Sequence, residues 1–297
     1  RVDSLIYDAR LRATMPRSLD PRIVIVDIDD ASLGEVGQWP WGRDRLAQLA
    51  RELLDRQRAA VVGFDVMFAE SDRTSGRVVL EELLARAAPS DPAIGAAVGR
   101  LAATLDHDEA FARALVGRNV VLGFYFTQGP RPHAKGGLPT PALPPGAFPV
   151  DADTPMAWNG YGASIPALSA VAPAGFLNVL IDPQADGVVR SVPLIARYAP
   201  AGGADVASAG YCESLGLAVY RRATGASAPA PRFAATGGPG LTLESLVMGR
   251  PEGPLAVPVD RYAGIRVPYR GPGGAHGGSF RYIPAIDVLG GHLAAGE

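Results

Sequence analysis

The segment Arg22 to Asp29, RIVIVDID, is a β-branched run in which polar and apolar residues do not alternate. A strand of that texture has apolar groups on both sides and reads as central, covered on both faces. After the turn Gln38-Trp39-Pro40-Trp41-Gly42, the segment Arg43 to Arg58 sets Leu46, Leu49, Ala50, Leu53 and Leu54 on one helical stripe. The buried-strand texture then returns in Ala60 to Phe68, AVVGFDVMF. Strand, helix and strand of these lengths predict a βαβ unit with a right-handed crossover and two parallel, neighbouring strands.

With 297 residues, 47% of them hydrophobic, there is material for at least one substantial core, as one large domain or two fused halves. Helical periodicity continues in Val78 to Ala88 and Asp106 to Val116, the latter opened by acids that suit a helix N-terminus. Asn119 to Phe126 reads as a third strand. Prolines and glycines crowd Gly129 to Pro155, which predicts an irregular excursion. Beyond it, Ser164 to Val171 suggests a short helix, Gly175 to Val179 a short strand, and Val188 to Tyr198 a longer one entered through Asp186-Gly187. Tyr211 to Arg222 reads as a helix, and Leu241 to Met248, Leu255 to Pro258 and Gly264 to Tyr269 as an antiparallel meander.

The predicted fold class is therefore α/β: a central, mostly parallel sheet with a βαβ core, flanked by helices and extended by antiparallel strands from the C-terminal half. Its expected parts are an amphipathic helix (1–14), an α/β core (22–126), the Pro/Gly-rich excursion (127–160) and a second half with the meander (161–297).

Several functions lose support at this stage. A formal charge of −2 offers no single-signed field for phosphates, so nucleic acid is not an expected partner. Cys212 is the one cysteine and lies in an apolar stretch, which reads as a small buried side chain. No run reaches the roughly 20 apolar residues of a membrane span, so any membrane anchor is expected outside this sequence. His107, His133, His276 and His292 stand singly, without zinc-ligand spacing, and each reads as a surface residue. The one lysine, Lys135, belongs to no Walker loop, and neither a nucleophile elbow nor a dinucleotide-binding glycine motif is present. No cofactor, metal or catalytic residue is expected.

Acids remain. Asp27 and Asp29 share one face of the first strand, and Asp65 sits late in the second, at the carboxyl edge where open α/β sheets place ligands. Such carboxylates need a neutralising partner, and Arg43 is the expected one. The group reads either as a polar ligand site or as a structural network fixing the Trp39-Pro40-Trp41 turn, whose indoles would wall a cleft or plug the sheet edge. Ser32 and Glu35 fit a capping box. The oxygen-rich Asp182 to Gly187 lacks the distal ligands of a calcium loop and reads as a turn.

The pieces Ile23 to Leu33, Gly37 to Arg43 and Phe64 to Phe68 resemble the opening signature of CHASE type-2 domains. Gly175-Phe176-Leu177-Asn178, Asp186 to Pro193, Glu213 to Ala218 and Phe280 to Leu289 follow in that family's order, with looser agreement across Thr74 to Arg118 and Gln128 to Gly160. The resemblance implies the extracytoplasmic (periplasmic) sensing region of a bacterial inner-membrane receptor. Its full-length parent would carry a cytoplasmic output such as an adenylate or guanylate cyclase, a histidine kinase or a diguanylate cyclase. It brings no established ligand and no catalytic residue. The candidate ligand-binding residues are Asp29, Ser32, Trp39, Trp41, Arg43, Asp65, Asn178 and Arg190. The expected partners are a small-molecule ligand, a second receptor copy in a homodimer, and the membrane through flanking helices. A non-sensing dimerisation or adaptor domain is the alternative, and a carboxylate-dependent hydrolase a more distant one. Tethering at both ends would put both termini on one side, with Val2 to Arg12 packed on the domain or on a second copy.

Overall fold

A computed structural model of the chain describes residues 2–16, 18–87, 92–179, 187–200, 210–235, 240–274 and 278–294. Along the chain come α1 (Val2–Thr14), β1 (Val24–Asp27), α2 (Asp30–Val36), α3 (Arg43–Arg51), β2 (Val62–Met67), α4 (Arg77–Ala87), α5 (Pro92–Thr104) and α6 (His107–Leu115). Then follow β3 (Val120–Thr127), β4 (Ala134–Lys135), β5 (Ala157–Trp158), β6 (Gly160–Gly162), α7 (Pro166–Ser169), β7 (Ala174–Phe176), β8 (Ser191–Pro193) and β9 (Ile195–Tyr198). The last are β10 (Tyr211–Glu213), α8 (Leu215–Thr224), β11 (Ala230–Ala235), β12 (Leu241–Met248), β13 (Leu255–Pro258), β14 (Gly264–Arg266), β15 (Arg281–Pro284) and α9 (Ala285–Leu289). Mixed helices and sheets with parallel strands make this an α/β protein. Two compact units form, Arg1–Trp41 with Arg266–Glu297, and Gly42–Ile265.

In the first unit β1 pairs in parallel with β15, from Val24↔Arg281 to Asp27↔Pro284. The partner of the first predicted strand is thus not the second predicted strand but one from the far end of the sequence, which corrects the expected β1–β2 pairing; nor is β1 the central, covered strand expected, since it lies in a two-stranded sheet with Val24 and Asp27 exposed. Local strand-helix-strand rhythm cannot register a partner that distant. Asp29 caps α2 by accepting from the Ser32 N–H at 2.9 Å, in place of the expected capping box. Ser32 is fully buried, and its Oγ accepts from the Ile286 N–H at 3.0 Å, satisfying a donor at the start of α9. Tyr7 docks α1 by donating to the Val267 carbonyl at 2.8 Å, and the Arg266 guanidinium lies 5.3 Å from its ring. Leu5 and Ile6, on the apolar side of the expected amphipathic helix, are exposed rather than packed on the domain. The two ends on which the expectation for the termini rests, residues 1 and 295–297, lie outside the described residues.

The second unit is organised on β3, whose Val120, Val121, Leu122 and Phe124 are fully buried. Beside it β2 and β7 run parallel, from Val62↔Val120 and from Leu122↔Ala174. Its last residues pair antiparallel with β6, which carries β4. The βαβ crossover therefore lies between β2 and β3, through α4 to α6. Helices α3 and α6 pack together over a cluster of edge-on rings, Phe64, Phe68 and Phe111, with centroids 5.3 to 6.0 Å apart.

Antiparallel strands extend the unit: β12 and β13 pair as the expected meander has them, but its third strand, β14, pairs with β8 instead, and β11 takes the other side of β12, while β10 pairs with β9. Tyr211 to Glu213 is a strand rather than the start of a helix, because Ser214 caps α8 at Leu217 and fixes its beginning. Helix α5 and strands β11 and β15 carry no signal in the sequence reading. Cys212 is buried as expected, and burial pushes its thiol up to about 12. Among the described residues no helix is long and apolar enough to cross a membrane.

Candidate functional site

Helix α8 sits unusually close to the sheet. A Cβ on Gly175 of β7 would come within 2.5 Å of the Leu215 Cα, and one on Gly63 of β2 within 2.7 Å of a Val219 methyl. Two glycines therefore let the helix backbone settle onto the parallel strands. That seating brings the first turn of α8 beside the carboxyl end of β7, the sheet edge at which α/β proteins place ligands.

A cavity of about 450 Å³ opens there. One wall is Phe176 to Val179, following β7; another is Ser214 to Leu217 with Tyr220 on α8. Val192, Pro193 and Leu194 from β8 close a third side, and Met248, Leu255, Val257 and Ile265 from the meander close the fourth. Its size and apolar lining are those of a small-molecule site.

Asp65 borders this cavity, and the strand is built irregularly to put it there. The β2–β3 register shifts between Phe64, opposite Leu122, and Met67, opposite Gly123, so Asp65 and Val66 form a bulge. The bulge closes on Gly123, where a Cβ would meet the Phe64 carbonyl at 2.9 Å and the Val66 carbonyl at 3.0 Å. Asp65 is exposed at the rim, and its side chain has no hydrogen bond or ion pair among the described residues. Asn178, also on the wall, is locked: it accepts from the Phe126 N–H at 2.7 Å and donates to the Phe126 carbonyl at 2.9 Å. It acts as one more ladder rung beyond the end of β7.

Arg43 lies in a different cluster of the same unit. Its backbone N–H donates to Asp72 at 2.8 Å, its Nη2 to the Glu70 carbonyl at 3.3 Å, and its Nε lies 3.6 Å from Asp108. The guanidinium stacks 4.5 Å from the Phe68 ring centroid. Asp108 in turn accepts from the Asp72 N–H at 2.9 Å. His107, expected at the surface, is mostly buried, with Nδ1 3.3 Å from Asp72 and 3.5 Å from Asp44. Burial pushes the Asp108 carboxyl above its ordinary value, against the pull of the Asp72 N–H and of Arg43. Burial acts the same way on Asp72, but the N–H groups of Arg43 and Thr74 and the Thr74 hydroxyl outweigh it and hold that carboxyl down. The cluster ties the starts of α3 and α6 to the loop after β2. Arg43, expected to neutralise Asp29 and Asp65, thus has Asp72 and Asp108 as its carboxylate neighbours.

The other candidates fall in the first unit or outside the cavity walls. Asp29 and Ser32 serve the helix starts described above. Trp41 is buried and its indole N–H donates to the Gly37 carbonyl at 2.7 Å, while Trp39 stays exposed with its ring 6.0 Å from that of Trp41 across a cis Trp39-Pro40 bond. Arg190 is half-buried and engaged with a neighbour. The Asp182–Asp186 stretch and His276 lie outside the described residues. No group of three or more metal-binding side chains occurs among the described residues.

The sequence reading named Asp65 and Asn178 but not Ser214, Tyr220, Met248, Leu255 or Val257. Ser214 carried a usable signal as a serine three residues before a buried leucine; the others are ordinary core residues until the topology gathers them. The chain matches the family described as CHASE2 domain over residues 1–296. No curated protein and no solved structure matches it.

Proposed function

Because the chain belongs to the CHASE2 domain family, whose members are sensory domains of transmembrane receptors, we propose that its stimulus is a small molecule bound in the cavity beside α8. The observation that supports this reading is the cavity itself: a space of about 450 Å³ at the carboxyl end of a parallel strand, with one charged residue on an otherwise largely apolar rim. In this reading the chain is the extracytoplasmic sensor of a bacterial receptor, tethered by membrane helices on either side and paired with a second copy. The output is a cytoplasmic cyclase, histidine kinase or diguanylate cyclase, and the chain itself senses rather than catalyses. Ligand occupancy signals by favouring one of two arrangements of the strands and helix that wall the cavity.

The test is thermal unfolding of the chain with a panel of small apolar compounds, run beside a Val257→Trp variant that fills the cavity. A ligand of the folded state raises the melting temperature as its concentration passes its Kd. Compounds that stabilise the native chain and leave the filled variant unmoved support the proposal. Stabilisation that is identical in both proteins would overturn it.

A further inference from the structure

On the cavity walls the polar groups are unequally occupied. The Asn178 amide is spent on both backbone groups of Phe126, at 2.7 and 2.9 Å. The Ser214 hydroxyl caps the Leu217 N–H at 3.4 Å, and the Tyr220 hydroxyl accepts from Arg250 at 3.3 Å. Asp65 alone among these residues has no protein partner among the described residues, and it is the one formally charged residue on the walls. It is also carried by a bulge that interrupts the β2–β3 ladder, the kind of irregularity that re-aims a side chain.

Resting on the reading of this cavity as the sensory site, we infer that it takes a small apolar cation: a hydrocarbon or aromatic body against Leu215, Met248, Leu255 and Val257, and an ammonium or amidinium head against the Asp65 carboxylate. Apolar walls hold the body through removal of its CH₂ groups from water, whatever the head group is. Selectivity then comes from the rim. A cationic head gains a charge-assisted hydrogen bond to Asp65, a neutral hydroxyl gains an ordinary one, and a carboxylate meets like charge. The first turn of α8 also borders the cavity and favours anions through its free N–H groups, so the carboxylate arm of the test decides between the helix end and Asp65.

The probes are n-octylammonium, n-octanol and octanoate, titrated calorimetrically into the 297-residue chain, into Asp65→Asn and into Val257→Trp. The expected order is ammonium tightest, by about tenfold over the alcohol, with octanoate weakest. Asp65→Asn brings the ammonium down to the alcohol's affinity and leaves the alcohol unchanged; because Asp65 is exposed and unpartnered, this variant keeps the fold. Val257→Trp loses all three. Equal binding of alcohol and ammonium, tighter binding of octanoate, or an ammonium preference that survives Asp65→Asn would overturn the cation assignment and leave the sensory cavity standing. Binding untouched by Val257→Trp, or none by any probe, would overturn both.

Discussion

Replacing Arg43 by methionine removes the guanidinium packed beside Asp72 and Asp108 while keeping most of the side-chain volume. The guanidinium and the Asp108 carboxylate are only 10% and 14% exposed, so neither is well screened by water. Deleting one partner of a buried pair costs about 3–5 kcal/mol, because the other charge stays buried without compensation. The 3.6 Å separation of Nε from Asp108 places this pair near the lower end, and loss of the guanidinium over Phe68 adds roughly 0.5–1 kcal/mol. A total of about 3–4 kcal/mol, with a urea m-value of about 3 kcal/mol/M, moves the unfolding midpoint down by roughly 1 M. Asp108→Asn added to Arg43→Met should restore much of that loss, since one of the two stranded carboxylates is gone. Urea titration by circular dichroism reads both. A midpoint change under about 0.3 M for Arg43→Met, or a double variant no more stable than the single one, would refute the view that this cluster holds α3, α6 and the loop after β2 together.

Asp108 also fixes a pH response: its folded pKa is raised, so the stability it contributes is present below the ordinary aspartate range and is lost as pH rises through the raised value. Asp108→Asn should flatten that loss in melting temperature just above the ordinary range, and an unchanged slope would argue against it. Asp72 has the opposite sign, its folded pKa being lowered, so its contribution is present above the ordinary range and fades as pH falls below it. Gly175→Val should cost at least about 2 kcal/mol by denaturant unfolding, because the added group meets the α8 backbone, whereas Gly63→Ala, which meets only a Val219 methyl, should cost less. Ser32→Ala should cost about 1–3 kcal/mol by leaving the Ile286 N–H unsatisfied, and Ser32→Thr should not reproduce that loss through the hydrogen bond alone.

The sequence was most legible where one short segment carries its own signal. The unbroken apolar run of β3 announces a strand buried on both faces, and the acids before α6 announce its start, where Asp106 accepts from the Glu109 N–H at 3.0 Å. Gly/Pro turns likewise separate β12, β13 and β14. Pairing between distant segments left no such trace. β1 reads as a central strand, yet nothing in Val24 to Asp27 says that Arg281 to Pro284 will be its partner. That mistake carried into the site, since the expected convergence of Asp29 with Asp65 rested on β1 and β2 being neighbours. The place of Asp65 late in a parallel strand is readable from β2, whereas the bulge that sets it on the cavity rim depends on the register with β3 and is invisible in β2 alone. Asp72 and Asp108 escaped notice as the partners of Arg43 because two loops, not a spacing, bring them together.

The most direct measurement is a crystal structure of the chain grown with n-octylammonium. The account predicts the alkyl chain between the first turn of α8 and the Met248, Leu255 and Val257 wall, with the ammonium at hydrogen-bonding distance from the Asp65 carboxylate. An empty or collapsed cavity with the amine bound elsewhere would contradict it.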